Sequence, residues 1–565
     1  MCRRSTVAEK RKAAIYVSGS DSQARALIDR YWDGLLESEP LLGTAVGDER
    51  FDDRLPDPGP AGRAERETLH RGALDEIARL DGDDLDEERI TVDILEAIAR
   101  RDLAALEHRT DRLSVTSHLW GPVGLIGELA SLQRTDTPER LDRYVARIAA
   151  TPAFYAASMD VMEEAEADGV VSPRIVVERA IAQAERVLGS GAEDSPALAP
   201  LAQDDAAARE RVAATVSEHF LPALEGYLEA LRDHLPKATE TIGLGALPDG
   251  DAMYAAQILS WTTLPLDPEE VHALGVEDLA KIQDERRRSA EILGHGGAAA
   301  AVAALGESGA NSFASKEELK ELAEEQVRRS WDEAHRWFDR LPSANCEVRL
   351  VEEFREADMP FAFYNQPTQD GSRPGVYYVN GYDLPDKPRH HLASTTYHEA
   401  NPGHHFQIAL EQEMPDRSSL RRFGGFLAGS AFTEGWGLYS ERLADEMGLY
   451  LDESERLGML DLQGLRAARL VVDTGIHAFG WTRERAIATL EEAGLSPGES
   501  VIETDRYITM PGQALSYKIG QFEIERHRAT AAEREGDAFS LPAFHDRILA
   551  LGSLPLAALR RELQR

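Results

Sequence analysis

The sequence predicts a mainly α-helical protein with one small β-sheet, and two features of the 565-residue chain lead to that reading. Helix-start signals recur through the N-terminal two thirds, each followed by apolar positions at helical spacing. Between 345 and 382 the pattern changes to short β-branched and aromatic runs separated by acidic or Gly/Pro/Asp-rich turns.

Thr137-Pro138-Glu139 precedes RLDRYVARIAA, Ser172-Pro173-Arg174 precedes IVVERAIAQAERVL, and Asp267-Pro268-Glu269-Glu270 precedes VHALGVEDLAKIQDERRRSAEIL. In each case a capping side chain is followed by proline at the first helical position, where the missing N–H has no helical partner to lose. The Gly/Ala/Ser-rich segments 189–200 and 294–314 are expected to be loops, the second leading into the long helix SKEELKELAEEQVRRSWDEAHRWFDRL. CEVRLVEEF, MPFAFYNQP and GVYYVNGY predict a small antiparallel sheet ending just before a TYHE segment, after which helix-like runs continue to the C-terminus. The expected organisation is a disordered stretch over 1–20 and one large helical unit over 21–565. That unit divides into a helical lobe (21–343), the sheet (344–382), and the helices that follow it to the C-terminus (383–565).

Charge and cysteine usage narrow the function. Lys+Arg is 62 and Asp+Glu is 100, a net charge of −38 that repels phosphate backbones and anionic lipid, so neither nucleic acid nor membrane is an expected partner. With only Cys2 and Cys346 the chain builds no disulfide framework and no thiolate zinc site, so a metal would rely on His and carboxylate ligands. The N-terminal residues lack the apolar core of a signal peptide and no stretch approaches membrane-spanning length, which makes the cytoplasm the expected location.

The segment TYHEANPGHHFQ (396–407) carries the chemistry. Zinc helices of hydrolases place two histidines one turn apart as H-E-x-x-H, with the glutamate as general base. His398 and Glu399 fit ligand and base, but the position four after His398 is Pro402, and the next histidines are His404 and His405. On an unbroken helix His404 would lie ~240° around from His398, and His405 on the same face but about 10.5 Å further along, so neither could share a metal. Pro402 and Gly403 make an unbroken helix the least favourable conformation. A bulge there is expected to return one histidine to the His398 side. His404 is preferred, because Gln407 and Glu411 follow it at helical spacing as a polar second layer, while His405 shares its side with Ala409; His405 stays open as the alternative. For the third ligand, Glu434 lies among Phe432, Gly435, Trp436 and Leu438, where an unpaired carboxylate is costly; Glu441, two turns on, is the less apolar alternative. Two histidines, a glutamate and an open position for water make a standard catalytic zinc set, and one Zn²⁺ is the expected cofactor.

Six segments together resemble the bacterial family known as domain of unknown function 885: YHEANPGHHFQ, FTEGWGLYSE, DTGIHAFGW (473–481), RYITMPGQALSYKIG (506–520), GSRPGVYYVN (371–380) and FHDRILALGSLPL (544–556). The resemblance spans roughly 20–565, and its members look like zinc metallopeptidases of the helix-rich gluzincin type, similar to the angiotensin-converting-enzyme and oligopeptidase groups. It implies a two-lobed helical molecule with a deep channel, His398, His404 and Glu434 as metal ligands, and Glu399 as base. The HE-to-GHH spacing departs from the peptidase pattern. In those peptidases a downstream hydroxyl or imidazole stabilises the oxyanion. Tyr517 is the first choice here, with Tyr507 and His477 as further candidates, and Arg506 and Gln513 as binders of a substrate carboxylate or carbonyl. GVYYVN is expected to be an edge strand able to pair with an extended peptide.

The expected activity is zinc-dependent hydrolysis of amide bonds in short peptides, of a dipeptidase or exopeptidase kind. The alternatives are a metal-dependent amidohydrolase acting on a modified amino acid or other small amide, and a non-catalytic metal- or peptide-binding protein. Glu399 favours catalysis, since a binding site needs no carboxylate directly after its first ligand.

Overall fold

The computed structural model describes residues 23–113, 115, 121–353, 356, 359–368, 373–414 and 417–564. The stretch 1–20, expected to be disordered, lies outside them. Helices dominate, as the punctuation predicts: Thr137 caps Pro138–Ala149 by accepting from Arg140 N, and Asp267 caps Pro268–Ile292 by accepting from Glu269 N and Glu270 N. Ser172 departs from the pattern. The helix begins at Arg174 with Pro173 in the cap position, and the Ser172 carbonyl accepts from Thr239 N instead. Segment 294–314, expected to be a loop, contains the helix Ala298–Glu307, whose run of alanines has the highest helix propensity of any residue type.

The sheet is mixed rather than antiparallel. Its strands are β1 (Cys346–Leu350), β2 (Ala362–Asn365) and β3 (Gly375–Val379), ordered β1-β3-β2, with β3 antiparallel to β2 and parallel to β1. This overturns the expectation that GVYYVN is an edge: all five β3 residues are buried, and their unbroken apolar run suits a centre strand. The edges belong to β1 and β2, and the charged Glu347 and Arg349 of β1 suit such a position. A cavity of about 760 Å³ runs along the β1 edge, lined by Val327, Arg328 and Trp331 of the helix Lys316–Ala334, and it reaches the TYHE segment only at Asn401.

Six helices build the site: α1 (Leu392–Glu399), α2 (His404–Gln412), α3 (Phe426–Glu446), α4 (Glu453–His477), α5 (Pro497–Thr509) and α6 (Ser516–Glu535). The hydrophobic interior has two large clusters. One holds Tyr31, Phe338, Phe406, Phe432 and Trp436, the other Tyr144, Tyr155, Val177, Phe220 and Trp481. Helix α4 joins them, giving Leu470 to the first and Leu465, Val472 and Ile476 to the second.

Helices α3 and α6 cross at glycine. A Cβ on Gly520 would stand 1.7 Å from the Ala431 carbonyl oxygen, and one on Gly435 would stand 2.3 Å from the Gly520 carbonyl carbon. The backbones therefore touch, one residue from Glu434 and three from Tyr517. Gly520→Ala is expected to force the helices apart at a cost of about 2–3 kcal/mol, read as a lower urea midpoint. An unchanged midpoint would show that the crossing yields freely.

Candidate metal centre

The segment 396–407 is neither one helix nor a bulged helix. α1 ends at Glu399, α2 starts at His404, and the four residues between reverse the chain, with the Asn401–Pro402 peptide in the cis form. The turn depends on Gly403: a Cβ there would lie 1.9 Å from the His398 carbonyl oxygen and 2.5 Å from that of Tyr397. Helix α3 fixes the turn from outside, since Trp436 Nε1 and Ser440 Oγ donate to the Pro402 carbonyl at 2.8 and 3.2 Å.

The fold brings His398, His404 and Glu434 together. The Nε2 atoms of both histidines lie 3.5 Å from the same oxygen of Glu434, and the two rings meet edge to face with centroids 4.6 Å apart. A tetrahedral ion with bonds of ~2.1 Å has ligand–ligand edges of about 3.4 Å, so these separations suit three ligands around one cation. Space is reserved as well: a Cβ on Gly437 would press to 2.8 Å from His398 Nε2 and 3.0 Å from His404 Cε1. The Glu399 carboxylate belongs to the same cluster, within 4.8 Å of His398 and His404 ligand atoms.

The electrostatics favour positive charge. Burial works against a protonated His398, but Glu434, Glu441 and Glu399 outweigh it and raise its pKa to about 10. For Glu434 burial opposes ionisation, yet His398 and His404 hold its carboxyl well below the usual range. Glu441 is not a ligand: its Oε1 accepts from His398 Nδ1 at 2.8 Å, leaving Nε2 free for an ion. Ser394 Oγ and Gln463 Nε2 donate to its other oxygen, each at 3.1 Å, and Lys518 Nζ donates to Gln463 Oε1 at 2.9 Å. The seven-residue spacing from Glu434 puts both carboxylates on one face of α3, a signal present in the sequence.

His405 points the other way. Its Nε2 donates to the Ala344 carbonyl, its Nδ1 accepts from Tyr364 Oη, both at 3.0 Å, and burial lowers its pKa to about 4. It ties α2 to the sheet. Gln407 and Glu411, expected behind His404, bond one another and Ser553, while His404 Nδ1 is buried without a protein partner.

Of the downstream candidates, Tyr517 reaches the centre, its ring roughly parallel to that of His398 at 6.4 Å. Arg506 Nη2 donates to Tyr517 Oη at 3.3 Å and to Gln513 Oε1 at 2.7 Å, which sets all three side by side. Tyr507 stands back from the metal residues, bonded to Glu503 at 2.6 Å and Arg469 at 3.1 Å. His477 is a core histidine: Nδ1 accepts from Leu244 N at 3.3 Å, Nε2 donates to the Tyr507 carbonyl at 2.9 Å, and burial lowers its pKa to about 4. Asp473 in the same DTGIH segment was missed. It accepts from Gly512 N at 3.0 Å and Tyr254 Oη at 2.6 Å, holding the Pro511–Gly512 turn that leads to Gln513 and Tyr517.

A second histidine–carboxylate group among the described residues is His390, His391 and Asp461. Arg286 Nε already donates to Asp461 at 2.7 Å, so that carboxylate has its counter-charge and the group reads as a clamp between the start of α1 and α4.

Fold and site thus define a mainly helical protein with a His/His/Glu cluster whose spacing could hold a cation, beside a small mixed sheet. The chain belongs to the family described as bacterial protein of unknown function (DUF885), whose model matches residues 40–563. It is similar to the crystal structure of a "putative lipoprotein" from Colwellia psychrerythraea, with 28% identity and a TM-score of 0.88 over 97% of this chain and 99% of that one. A "putative lipoprotein of unknown function" from Shewanella oneidensis shares the fold at a TM-score of 0.74 and 18% identity, over 97% of this chain and 100% of that one. No curated protein matches. None of these descriptions assigns an activity. No helix among the described residues is long and apolar enough to cross a membrane.

Burial outweighs the hydrogen bonds to Asp473 and pushes its carboxyl up to about 7. A carboxyl that binds its proton more tightly folded than unfolded contributes stability at low pH and loses it as pH rises through 7. Asp473→Asn cannot titrate, so its urea midpoint is expected to gain on that of wild type between pH 5 and pH 8. A constant difference would show that Asp473 is ionised throughout.

Proposed function

We propose that the protein is a metal-dependent hydrolase of amide bonds in short peptides, with Zn²⁺ as the ion its donor set suits best. The single observation behind the reading is the shared Glu434 oxygen at 3.5 Å from the Nε2 atoms of both His398 and His404. That distance is long for a hydrogen bond and close to a zinc ligand edge. Glu399 separates this reading from a non-catalytic binding protein, because its carboxylate stands within 4.8 Å of the His398 and His404 ligand atoms while Glu434 already offers a third ligand.

When bound, the ion supplies Lewis acidity and a water of lowered pKa. Glu399 takes the proton of the attacking water and returns it to the departing amine. Glu441 holds His398 in the tautomer that presents Nε2. Arg506 donates to the Tyr517 oxygen, so the phenol proton is free to meet the carbonyl oxygen as charge develops there. The division of the apolar core into two large clusters that meet along α4 is compatible with a two-lobed arrangement. The expectation of a cytoplasmic location stands against the description of both similar structures as putative lipoproteins. Cell fractionation decides between cytoplasm and envelope.

Purified protein is expected to carry about one zinc per chain and to cleave members of a short-peptide library. Glu399→Gln should keep the metal and lose ~10²–10⁴ in kcat. His404→Ala should strip the metal and His405→Ala should not, while Glu441→Gln should weaken metal affinity about 10- to 100-fold. Wild type without metal and without cleavage would refute the reading.

A further inference from the structure

Beside the metal cluster the fold gathers three arginines around one tyrosine. Arg466 and Arg469, three residues apart on one face of α4, place their guanidinium carbons 5.2 and 4.5 Å from the Tyr517 ring centre. Arg506, from α5, donates to the Tyr517 hydroxyl. Like charges crowd together this way only when an anion answers them, and the resident carboxylates are already engaged. Glu503 accepts from Arg469 at 2.7 and 3.1 Å, from Arg506 at 3.5 Å and from Tyr507 at 2.6 Å. Glu441, whose charge also reaches Arg466, spends its oxygens on His398, Ser394 and Gln463. Two donors are left over: Arg466 Nε and Arg469 Nη1 are buried with no hydrogen-bond partner. In a chain of net charge −38, three guanidinium groups gathered on one tyrosine beside the histidine–glutamate cluster are a specific feature.

We propose that Arg466 and Arg469, on the Tyr517 ring, form a subsite for a substrate carboxylate, and that this carboxylate is the free C-terminus of a peptide. This rests on the hydrolase reading above and narrows its substrate class to peptides held by their C-terminal end. The reach follows from the geometry. Tyr517 lies 6.4 Å from the His398 ring, and the Arg466 guanidinium lies 5.2 Å beyond the Tyr517 centre at most. An extended residue spans at most ~3.6 Å, so the bond cleaved lies within about three residues of the C-terminus.

The test uses full-length protein with its metal, in the Glu399→Gln background so that ligands are bound and not turned over. Calorimetry compares pentaalanine acid, pentaalanine amide, and an alanine tetrapeptide extended by a C-terminal glutamate amide. The acid should bind at least about tenfold more tightly than the neutral amide, as expected for a charge-assisted bidentate contact. Arg466→Gln should remove that preference, and Arg466→Lys should restore part of it. Equal binding of acid and neutral amide would overturn the subsite, and that comparison needs no arginine variant to fold. A glutamate amide that binds as well as the acid would overturn the C-terminal assignment in favour of an acidic side chain. Wild-type digestion then separates the two readings: acid-selective binding without cleavage of any peptide would sink the hydrolase and leave the carboxylate subsite standing.

Discussion

The site depends on one backbone contact, the passage of Gly403 across the carbonyl oxygen of His398. A side chain there would overlap that oxygen at 1.9 Å, so the reversal between α1 and α2 is available only to glycine. The reversal lets histidines six residues apart share one carboxylate oxygen, a result that helical periodicity alone forbids. Its outer surface is held by the Pro402 carbonyl, which takes hydrogen bonds from Trp436 and Ser440 of α3. Glu434 stands on the same helix, so the helix that supplies the carboxylate also clamps the turn that brings the two histidines to it.

The two adjacent histidines divide the work of holding the site. His404 faces the cluster, while His405 reaches back to Tyr364 on β2 and to the carbonyl of Ala344 before β1. Gly375, at the head of β3, makes room for that bond, since a Cβ there would come within 2.6 Å of His405 Nδ1. On the other side of α1, Thr396 meets Tyr377 of β3 and Gln326 of the helix Lys316–Ala334. The sheet thus braces both helices of the turn from the flank opposite α3. Desolvation explains why His405 can serve as a strut: burial keeps it neutral, with one nitrogen to donate and one to accept.

Legibility in the sequence followed the range of the interaction. The helices announced themselves through local capping and periodicity, and the strands through composition, because both are short-range signals. His398, Glu399 and Glu434 were readable from donor chemistry and from the cost of a carboxylate among apolar neighbours. Strand order was not, because the parallel pairing of β1 with β3 is set by how the chain crosses over, although the uninterrupted GVYYV run and the charged CEVRL run carried the hint. The meaning of His477 and Tyr507 was unreadable for a different reason. A polar aromatic ring can face a substrate or a carbonyl, and only the tertiary fold gave Leu244 N and the Tyr507 carbonyl as the partners of His477. Arg466 and Arg469 lie in an ordinary amphipathic helix, and nothing local marks them as different from solvated charges.

The neighbourhood of the metal cluster poses an electrostatic problem that the packing resolves. Three carboxylates, Glu399, Glu434 and Glu441, lie around His398, and nearby three guanidinium groups share Glu503 and still leave Arg466 Nε and Arg469 Nη1 without an acceptor. At such separations and at partial burial, opposite charges attract by several kcal/mol, and free to move they would close on one another and extinguish both sites. Tyr517 forms a wall that both groups meet, with Arg466 and Arg469 against its ring and the His398 ring 6.4 Å from it. Glu441, the carboxylate whose charge reaches Arg466, is pinned by His398, Ser394 and Gln463, and Gln463 is in turn held by Lys518. Lys518 and Tyr517 are consecutive on α6, so the helix whose glycine touches α3 carries both the wall and the pin. Separation of charge is therefore built into the α3–α6 crossing, and the two unsatisfied demands, one for a cation and one for an anion, are what a bound metal and a carboxylate substrate would together fulfil.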